Sequence, residues 1–412
     1  MKTVEIDTLA SLLPSLVPSP PAVPRVVASG NFATPLGLLK AVDAALPEFR
    51  LHLLNAQAGI PDRPGVVPET AFVGPAMRRS ERLSYVPCRL SMLPLLFGGP
   101  LPPDLVVLHT SMPHNGSVSL GLEVNVLPAA IEAARARGGC VIAQINPNMP
   151  YTYGDAELPL EVIDYAVEID SILPSPTPRL PDAASAVIGE RVAARVRDGA
   201  TMQLGIGAVP DATLPELSQR RRLRVWTEMF SDGILLLDAA GALDGNTPIV
   251  ASFVFGSPEL YAWVDRNPRV RLMRTETTNN PSLIAKQPQL TSINSALQVD
   301  LFAQANASRI GARIYSGFGG QTDFLIGALH SPGGQAFIAL RSWHPKANVS
   351  TVVGLLGEPA TSFQATAIVT EYGVAPIWGR DQREQAHALI EYVAHPDARA
   401  ELRDAAAHLG LR

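Results

Sequence analysis

Ten residues near the middle of the chain, Leu173-Pro174-Ser175-Pro176-Thr177-Pro178-Arg179-Leu180-Pro181-Asp182, carry four prolines. Proline has no backbone N–H and a fixed φ, so neither a helix nor a central strand can run through such a stretch. A chain of 412 residues is also too long for one ordinary core. Together these features predict two domains, 1–180 and 185–412. Helix resumes after the break: Ser185 reads as its N-cap, Val187, Ile188, Val192 and Val196 recur at helical spacing, and Gly199 stops it.

On each side of the break, short apolar runs alternate with helical segments. Before it, strands are expected at Arg25 to Ala28, Arg50 to Leu54, Leu105 to Leu108 and Val141 to Ile145, with helices from Pro35 to Leu46 and Leu127 to Arg137. After it, strands are expected at Met202 to Leu204, Arg224 to Trp226, Ile249 to Phe255, Arg313 to Tyr315, Ala336 to Leu340 and Ala367 to Thr370. A long helix follows from Asp381 to Ala394. Repeated βα units give largely parallel sheets with helices on their faces, so the expected class is α/β, with two open domains.

Composition narrows the function classes. Apolar residues make up 47% and charged residues only 17%, and 33 basic against 38 acidic residues leave a net charge of −5. There is no basic stripe of the kind that binds nucleic acid. An anionic substrate would have to be held by local groups, since the overall field does not attract it. Cys88 and Cys140 lie in apolar surroundings and read as buried thiols, too few for a disulfide framework or a four-thiolate metal site. His109 and His114 lack a third ligand-type neighbour, so no metal site is expected. The start of the chain has no basic region followed by a long apolar stretch, and no run reaches the ~20 apolar residues of a membrane helix. The expected location is cytoplasmic, with no membrane or nucleic-acid partner.

The stretch Trp226-Thr227-Glu228-Met229-Phe230-Ser231-Asp232-Gly233 places a carboxylate at the tip of an expected strand, ahead of a polar glycine turn. Catalytic groups of α/β enzymes often sit there. Downstream, Tyr315-Ser316-Gly317-Phe318-Gly319-Gly320-Gln321 offers backbone N–H groups that can hold a developing oxyanion. Glu371, in Thr370-Glu371-Tyr372-Gly373, also ends an apolar run before a glycine and is the main rival of Glu228; Glu276 and Glu123 are weaker ones. Gly205-Ile206-Gly207-Ala208-Val209-Pro210 opens a helix after a strand. It lacks the third glycine and the following acidic residue of a dinucleotide fingerprint, so an NAD site is rejected.

The Glu228 stretch and the glycine run together resemble the active-site signature of the family I coenzyme A transferases, in the acetyl-CoA hydrolase/transferase branch that includes 4-hydroxybutyrate and butyryl-CoA:acetate CoA-transferases. The resemblance runs from about Val26 to Leu402. It includes Ser29-Gly30, Phe72-Val73-Gly74-Pro75, Ser111-Met112-Pro113-His114-Asn115-Gly116, Ala143-Gln144-Ile145-Asn146-Pro147-Asn148-Met149-Pro150, Asn279-Asn280-Pro281 and Asn294 to Leu301. It implies two CoA-transferase domains with the active site in the cleft between them, a homo-oligomer, no permanently bound cofactor, and coenzyme A as a substrate. Acyl-CoA and a small carboxylic acid would be the reacting partners, and Glu228 the nucleophile that carries CoA as a glutamyl thioester. Gly319 and Gly320 would contribute to an oxyanion hole or touch the pantetheine near the thioester, and Gln321 would donate a hydrogen bond directly to the reacting group. Gln144 and Asn146 would orient an acyl carboxylate, cap the oxyanion or only order their turn. Gly205, Gly207, Gly317, Phe318 and Lys346 would border CoA.

Two segments depart from the family pattern: Leu340-Arg341-Ser342-Trp343-His344-Pro345-Lys346, and Gly357 to Gln364, with Ser350 followed by Thr351 rather than Arg. The departures leave open a non-catalytic acyl-CoA binding protein of the same fold; an acyl-CoA hydrolase on the same site is the further alternative, distinguished by whether water reaches Glu228.

Overall fold

The computed structural model describes residues 1–19, 21–176, 182–205, 207–360 and 362–412. The centre of the proline-rich break (177–181), Ile206 of the Gly-Ile-Gly turn and Thr361 of the second divergent segment lie outside the described residues. Two compact units are present. The first comprises Met1–Pro176, Ile249–Thr278 and Tyr315–Gly319; the second comprises the described residues of Thr177–Pro248, Asn279–Ile314 and Gly320–Arg412. Where the sequence suggested one boundary at 180–185, two later segments return to the first unit. The cause is strand pairing at long range: Val270–Leu272 pairs in parallel with both Ile249–Ala251 and Tyr153–Gly154. Phe72 forms an isolated bridge with Gly317. Neither pairing leaves a local mark in composition.

The first unit is built on an eight-stranded sheet, in the order Lys2–Thr3, Tyr165–Glu168, Cys140–Ile145, Leu105–Thr110, Arg25–Ala28, Phe49–His52, Val66–Thr70 and Ser84–Tyr85. Every neighbouring pair is parallel. Leu105–Thr110 and Cys140–Ile145, at its centre, are buried along their whole length, which is why they read as unbroken apolar runs rather than alternating ones. The helix Leu127–Ala136 connects these two strands.

The second unit holds a six-stranded sheet, in the order Arg224–Val225, Thr201–Leu204, Thr291–Asn294, Gln335–Ala339, Ala367–Val369 and Val374–Pro376. The first five are parallel; only the last pairs antiparallel. Side chains of the central strand alternate between two apolar clusters. Phe337 and Ala339 join Val192, Leu214 and Leu217 on one face, while Ala336 and Ile338 join Phe324, Leu325 and Leu389 on the other. This is the period of two expected of a strand buried on both faces.

Several boundaries differ from the expectation for identifiable reasons. Asp182, not Ser185, caps the helix Ala183–Ala193, because its carboxylate accepts the Ser185 N–H at 3.1 Å and so draws Ser185 inside the helix. The run Ile249 to Phe255 splits into Ile249–Ala251 and Phe253–Val254. Arg313–Ile314 forms a small hairpin with Arg309–Ile310 rather than a sheet strand. The last long helix starts with a capping box of Asp381 and Glu384, then passes at Leu389–Val393 into a wider π-type turn. Among the described residues, no helix is long and apolar enough to cross a membrane.

Candidate functional site

Glu228 follows the edge strand Arg224–Val225 of the second unit, where the chain leaves the carboxyl end of the parallel sheet. The preceding residue holds the backbone there. The buried Thr227 hydroxyl lies 3.1 Å from the Leu204 carbonyl and 2.8 Å from the Met229 carbonyl, and accepts the Leu204 N–H at 3.3 Å. On the far side, Gly233 starts the helix Gly233–Ala239 against the side chain of Leu214, so close that a Cβ would enter it. The glycine that closes the Glu228 motif is therefore required by helix packing.

The Glu228 carboxylate meets two groups distant in sequence. Asn279, itself fully buried, donates from Nδ2 to Glu228 Oε2 at 2.8 Å. Gly320 caps the helix Gln321–His330 with φ −98° and ψ −1°, an ordinary backbone conformation. Its glycine identity serves close approach instead. A Cβ there would stand 3.2 Å from Glu228 Cδ and well inside contact distance of Glu228 Oε2 and Asn279 Nδ2. Part of the Glu228 side chain reaches the surface, yet protein packs closely enough around the carboxyl that loss of hydration dominates. Its pKa is raised to about 7; the Asn279 hydrogen bond opposes the shift and the Asp323 charge adds to it.

Asn279 carries no catalytic signal in sequence. Asn280 accepts the Ser282 N–H as the cap of Pro281–Ile284. Its neighbour Asn279 is the residue that reaches the carboxylate.

The glycine run divides at its midpoint. Gly317 to Gly319 pack with the first unit: a Cβ on Gly317 would strike the Ala71 carbonyl, and Gly319, with φ +56°, sits against the Phe72 ring while its carbonyl accepts the Leu90 N–H at 3.0 Å. Phe318 is exposed. Gln321 donates from Nε2 to the Ser295 carbonyl at 3.2 Å in the second unit.

Gln144 and Asn146 are buried in the first unit, and their amides have internal partners. Gln144 Oε1 accepts the Leu38 N–H at 3.1 Å; Asn146 Nδ2 donates to the Ser171 carbonyl at 2.8 Å and lies 3.1 Å from His109 Nε2. His109 Nδ1 is 3.1 Å from the Ala33 carbonyl, and burial lowers its pKa to about 4, so it is neutral and accepts at Nε2. These contacts support the reading in which the two amides order their turn.

Glu371, the rival carboxylate, has both oxygens engaged by one residue. Ser342 donates from N at 2.9 Å and from Oγ at 2.6 Å. Glu276 pairs with Arg274. Glu123 lies in a buried nest of the first unit, accepting from Gly30 N at 3.2 Å and Asn31 Nδ2 at 2.5 Å; burial raises its pKa to about 7.

The expected CoA contacts of the second unit converge in part. Gly207, with φ +126°, caps the helix Ala208–Leu217 and lines the same cavity as Lys346. Gly205 ends its strand, donating to the Ile293 carbonyl at 3.2 Å, and does not line that cavity.

Comparison with known proteins gives a consistent answer. Residues 42–176 match the acetyl-CoA hydrolase/transferase N-terminal domain, and residues 256–406 its C-terminal domain. The chain is 40% identical over 347 residues to the 4-hydroxybutyrate coenzyme A transferase of Clostridium kluyveri, covering 80% of each chain. It is 35% identical over 411 residues to the succinyl-CoA:acetate/propanoyl-CoA:succinate CoA transferase of Fasciola hepatica, covering 93% of this chain and 84% of that one. The crystal structure of RipA from Yersinia pestis aligns with a TM-score of 0.90 at 27% identity, covering 99% of this chain and 100% of the other.

Proposed function

The chain belongs to the acetyl-CoA hydrolase/transferase family, and from that premise we propose that it moves CoA between an acyl-CoA thioester and a carboxylic acid through a covalent intermediate on Glu228. The observation that carries the proposal is the state of that carboxylate: stripped of much of its water, oriented by Asn279 at 2.8 Å and packed against Gly320.

Water is what makes a carboxylate a poor nucleophile toward a thioester. Partial desolvation raises its reactivity, provided the oxyanion formed on the carbonyl is caught. In the first step, ionised Glu228 attacks the thioester carbonyl, the C–S bond breaks, and CoA leaves as thiolate; the product is an acyl-glutamyl anhydride. The thiolate then attacks the Glu228 carbonyl and expels the original carboxylic acid as its anion, leaving a glutamyl-CoA thioester. A second carboxylate attacks that thioester, and the released thiolate attacks the acyl carbonyl of the new anhydride. New acyl-CoA and free Glu228 carboxylate result. Charge balances at every step, and no oxidant, ATP or metal enters. We assign the backbone N–H of Gly320 to the oxyanion, and Asn279 to holding the carboxylate. If water attacks the first acyl-glutamyl anhydride, the acid and the free Glu228 carboxylate are released after CoA has left, and the reaction becomes acyl-CoA hydrolysis.

The test is exchange of CoA from a panel of acyl-CoAs to acetate. Ping-pong kinetics are expected, since the first acid leaves before the second binds. Borohydride added to enzyme incubated with acyl-CoA should reduce the thioester, and peptide mass spectrometry should find the resulting alcohol at Glu228. Glu228→Ala should remove turnover and keep acyl-CoA binding. Loss of turnover in Glu371→Ala with Glu228→Ala still active would refute the assignment.

A further inference from the structure

The sheet of the second unit carries a polar patch that the steps above leave unused. In the strand Thr201–Leu204, Met202 and Leu204 point into the apolar cluster of Val192 and Leu217. Gln203, between them, therefore faces the other side, toward the cluster of Ala336, Ile338 and Phe324. In the adjacent strand Thr291–Asn294, Ile293 belongs to the first cluster, so Ser292 and Asn294 turn to the Gln203 side. Gln203 and Ser292 are paired in register. The three polar side chains meet near the carboxyl ends of two parallel strands, the end at which α/β sheets bind ligands.

The patch fixes which way the Gln203 amide points. Its Oε1 accepts from Ser292 Oγ at 2.6 Å and from Asn294 Nδ2 at 3.0 Å, and Asn294 Nδ2 also donates to Ser292 Oγ at 2.8 Å. Two donors on one atom identify it as the oxygen, so the amide nitrogen is turned away from both partners. Gln203 is only 3% exposed, yet among the described residues its Nε2 has no acceptor, and the atom is not cut off from the surface. A buried amide that leaves its N–H groups unused is costly unless a bound molecule supplies the acceptor. An apolar side chain would fill this place without that cost.

Glu228 stands on the same face of the same sheet. Trp226 N donates to the Met202 carbonyl at 3.1 Å, which continues the strand pairing and sets Trp226 beside Gln203. Trp226 packs against the cluster that Gln203 faces. Glu228 comes two residues later, roughly 8 Å from Gln203 between backbones. Gly320, against which the Glu228 carboxyl packs, opens the helix whose Phe324 and Leu325 belong to that cluster. Asn279 holds Oε2 of Glu228, and among the described residues no group donates to Oε1, the oxygen left for attack. A donor without a partner thus lies one strand away from a carboxylate oxygen without a partner.

We propose that Gln203 binds the acid half of the substrates, donating from Nε2 to the acyl oxygen that does not change partners in the reaction. The proposal rests on the acyl-transfer reading of the Glu228 site. That oxygen is the carbonyl oxygen of the acyl-CoA, and it becomes the non-attacking oxygen of the carboxylate that leaves or enters. A donor suits it in every state, because it is always an acceptor and carries most charge in the free acid. Ser292 and Asn294 are positioning residues, since they hold the amide with its nitrogen outward.

Gln203→Glu keeps the oxygen that accepts from Ser292 and Asn294 and exchanges only the donating end for an acceptor. Gln203→Met, of similar length, removes the donor without adding charge, and carries the test should the first variant fail to fold by circular dichroism. The full chain and both variants are loaded with CoA by incubation with propionyl-CoA, freed of small molecules, and given either acetate or hydroxylamine. Hydroxylamine attacks the same glutamyl thioester but has no carboxylate to be held. Loss of a hydrogen bond to a charged group is expected to slow release of CoA to acetate by roughly ten- to a hundredfold. Release to hydroxylamine should be unchanged, which a merely structural role of Gln203 would not allow. Equal slowing with both nucleophiles, or an unchanged rate with acetate, would overturn the proposal. If the parent forms no thioester at all, the transferase reading fails on its own, and saturation-transfer NMR of propionate tests Gln203 separately. A propionate signal present in the parent and lost in both variants would support the contact; equal signals, or none in the parent, would overturn it.

Discussion

Replacing Gly320 by alanine adds one methyl group to the closest packing at the proposed nucleophile. The backbone there has φ −98° and ψ −1°, which alanine adopts without strain, so the effect is steric and not conformational. The new Cβ would lie 3.2 Å from Glu228 Cδ and inside contact distance of Glu228 Oε2 and Asn279 Nδ2. The helix cap carries the main chain of Gln321–His330 behind it, whereas the carboxyl is the free end of a side chain. The carboxyl is therefore what moves. Clearing ordinary carbon–oxygen contact takes a displacement on the order of 1 Å, and misplacement by that amount costs about a hundredfold in rate. The displacement also breaks the 2.8 Å hydrogen bond from Asn279. We expect Gly320→Ala to lower kcat for CoA exchange by about a hundredfold or more, while the unfolding free energy from urea titration falls by no more than an overpacked site costs, about 1–3 kcal/mol. Circular dichroism and denaturation, run beside the exchange assay, separate the two effects. Wild-type kcat in a folded Gly320→Ala protein would refute the argument, because the carboxylate would not be where its chemistry is assigned.

Two further outcomes follow from buried acids. Glu228 must be ionised to attack and its pKa is near 7, so kcat/KM should fall about tenfold per pH unit below that value and level off above it. Asp323→Asn removes a charge that raises the Glu228 pKa, so the limb should shift to lower pH; a limb that stays in place belongs to the substrate instead. Glu123 has a folded-state pKa of about 7 against 4.5 for the ordinary side chain, so its neutral form is favoured in the folded protein. Its contribution is fully present below about pH 4.5 and is lost as pH rises through about 7, a change on the order of 3 kcal/mol. Between pH 4 and pH 8, Glu123→Gln should therefore gain stability relative to the parent by that order in urea titrations. A pH-independent difference would mean that Glu123 is already charged in the folded state.

Much of the architecture was legible because it is written in local terms. Apolar runs with the right length located Arg25–Ala28, Leu105–Thr110, Cys140–Ile145 and Ala367–Val369, and glycine, proline and capping residues marked most of the ends. The Glu228 motif stands out by its residue types and its position after a strand, and the resemblance it carries points to the family from sequence alone. Tertiary structure alone decided the rest. Asn279 lies 51 residues from Glu228 and reaches it only through folding, and Gly320 is glycine for the space it leaves rather than for its φ. Glu371 is the main rival of Glu228 in sequence, ending an apolar run before a glycine as Glu228 does, yet Ser342 engages both of its oxygens. The return of Ile249–Thr278 to the first unit depends on strand pairing with Tyr153–Gly154. Local sequence encodes backbone preference and which faces turn inward. It does not encode which distant side chains meet, and both the desolvation of a carboxyl group and the partners left to it depend on those meetings.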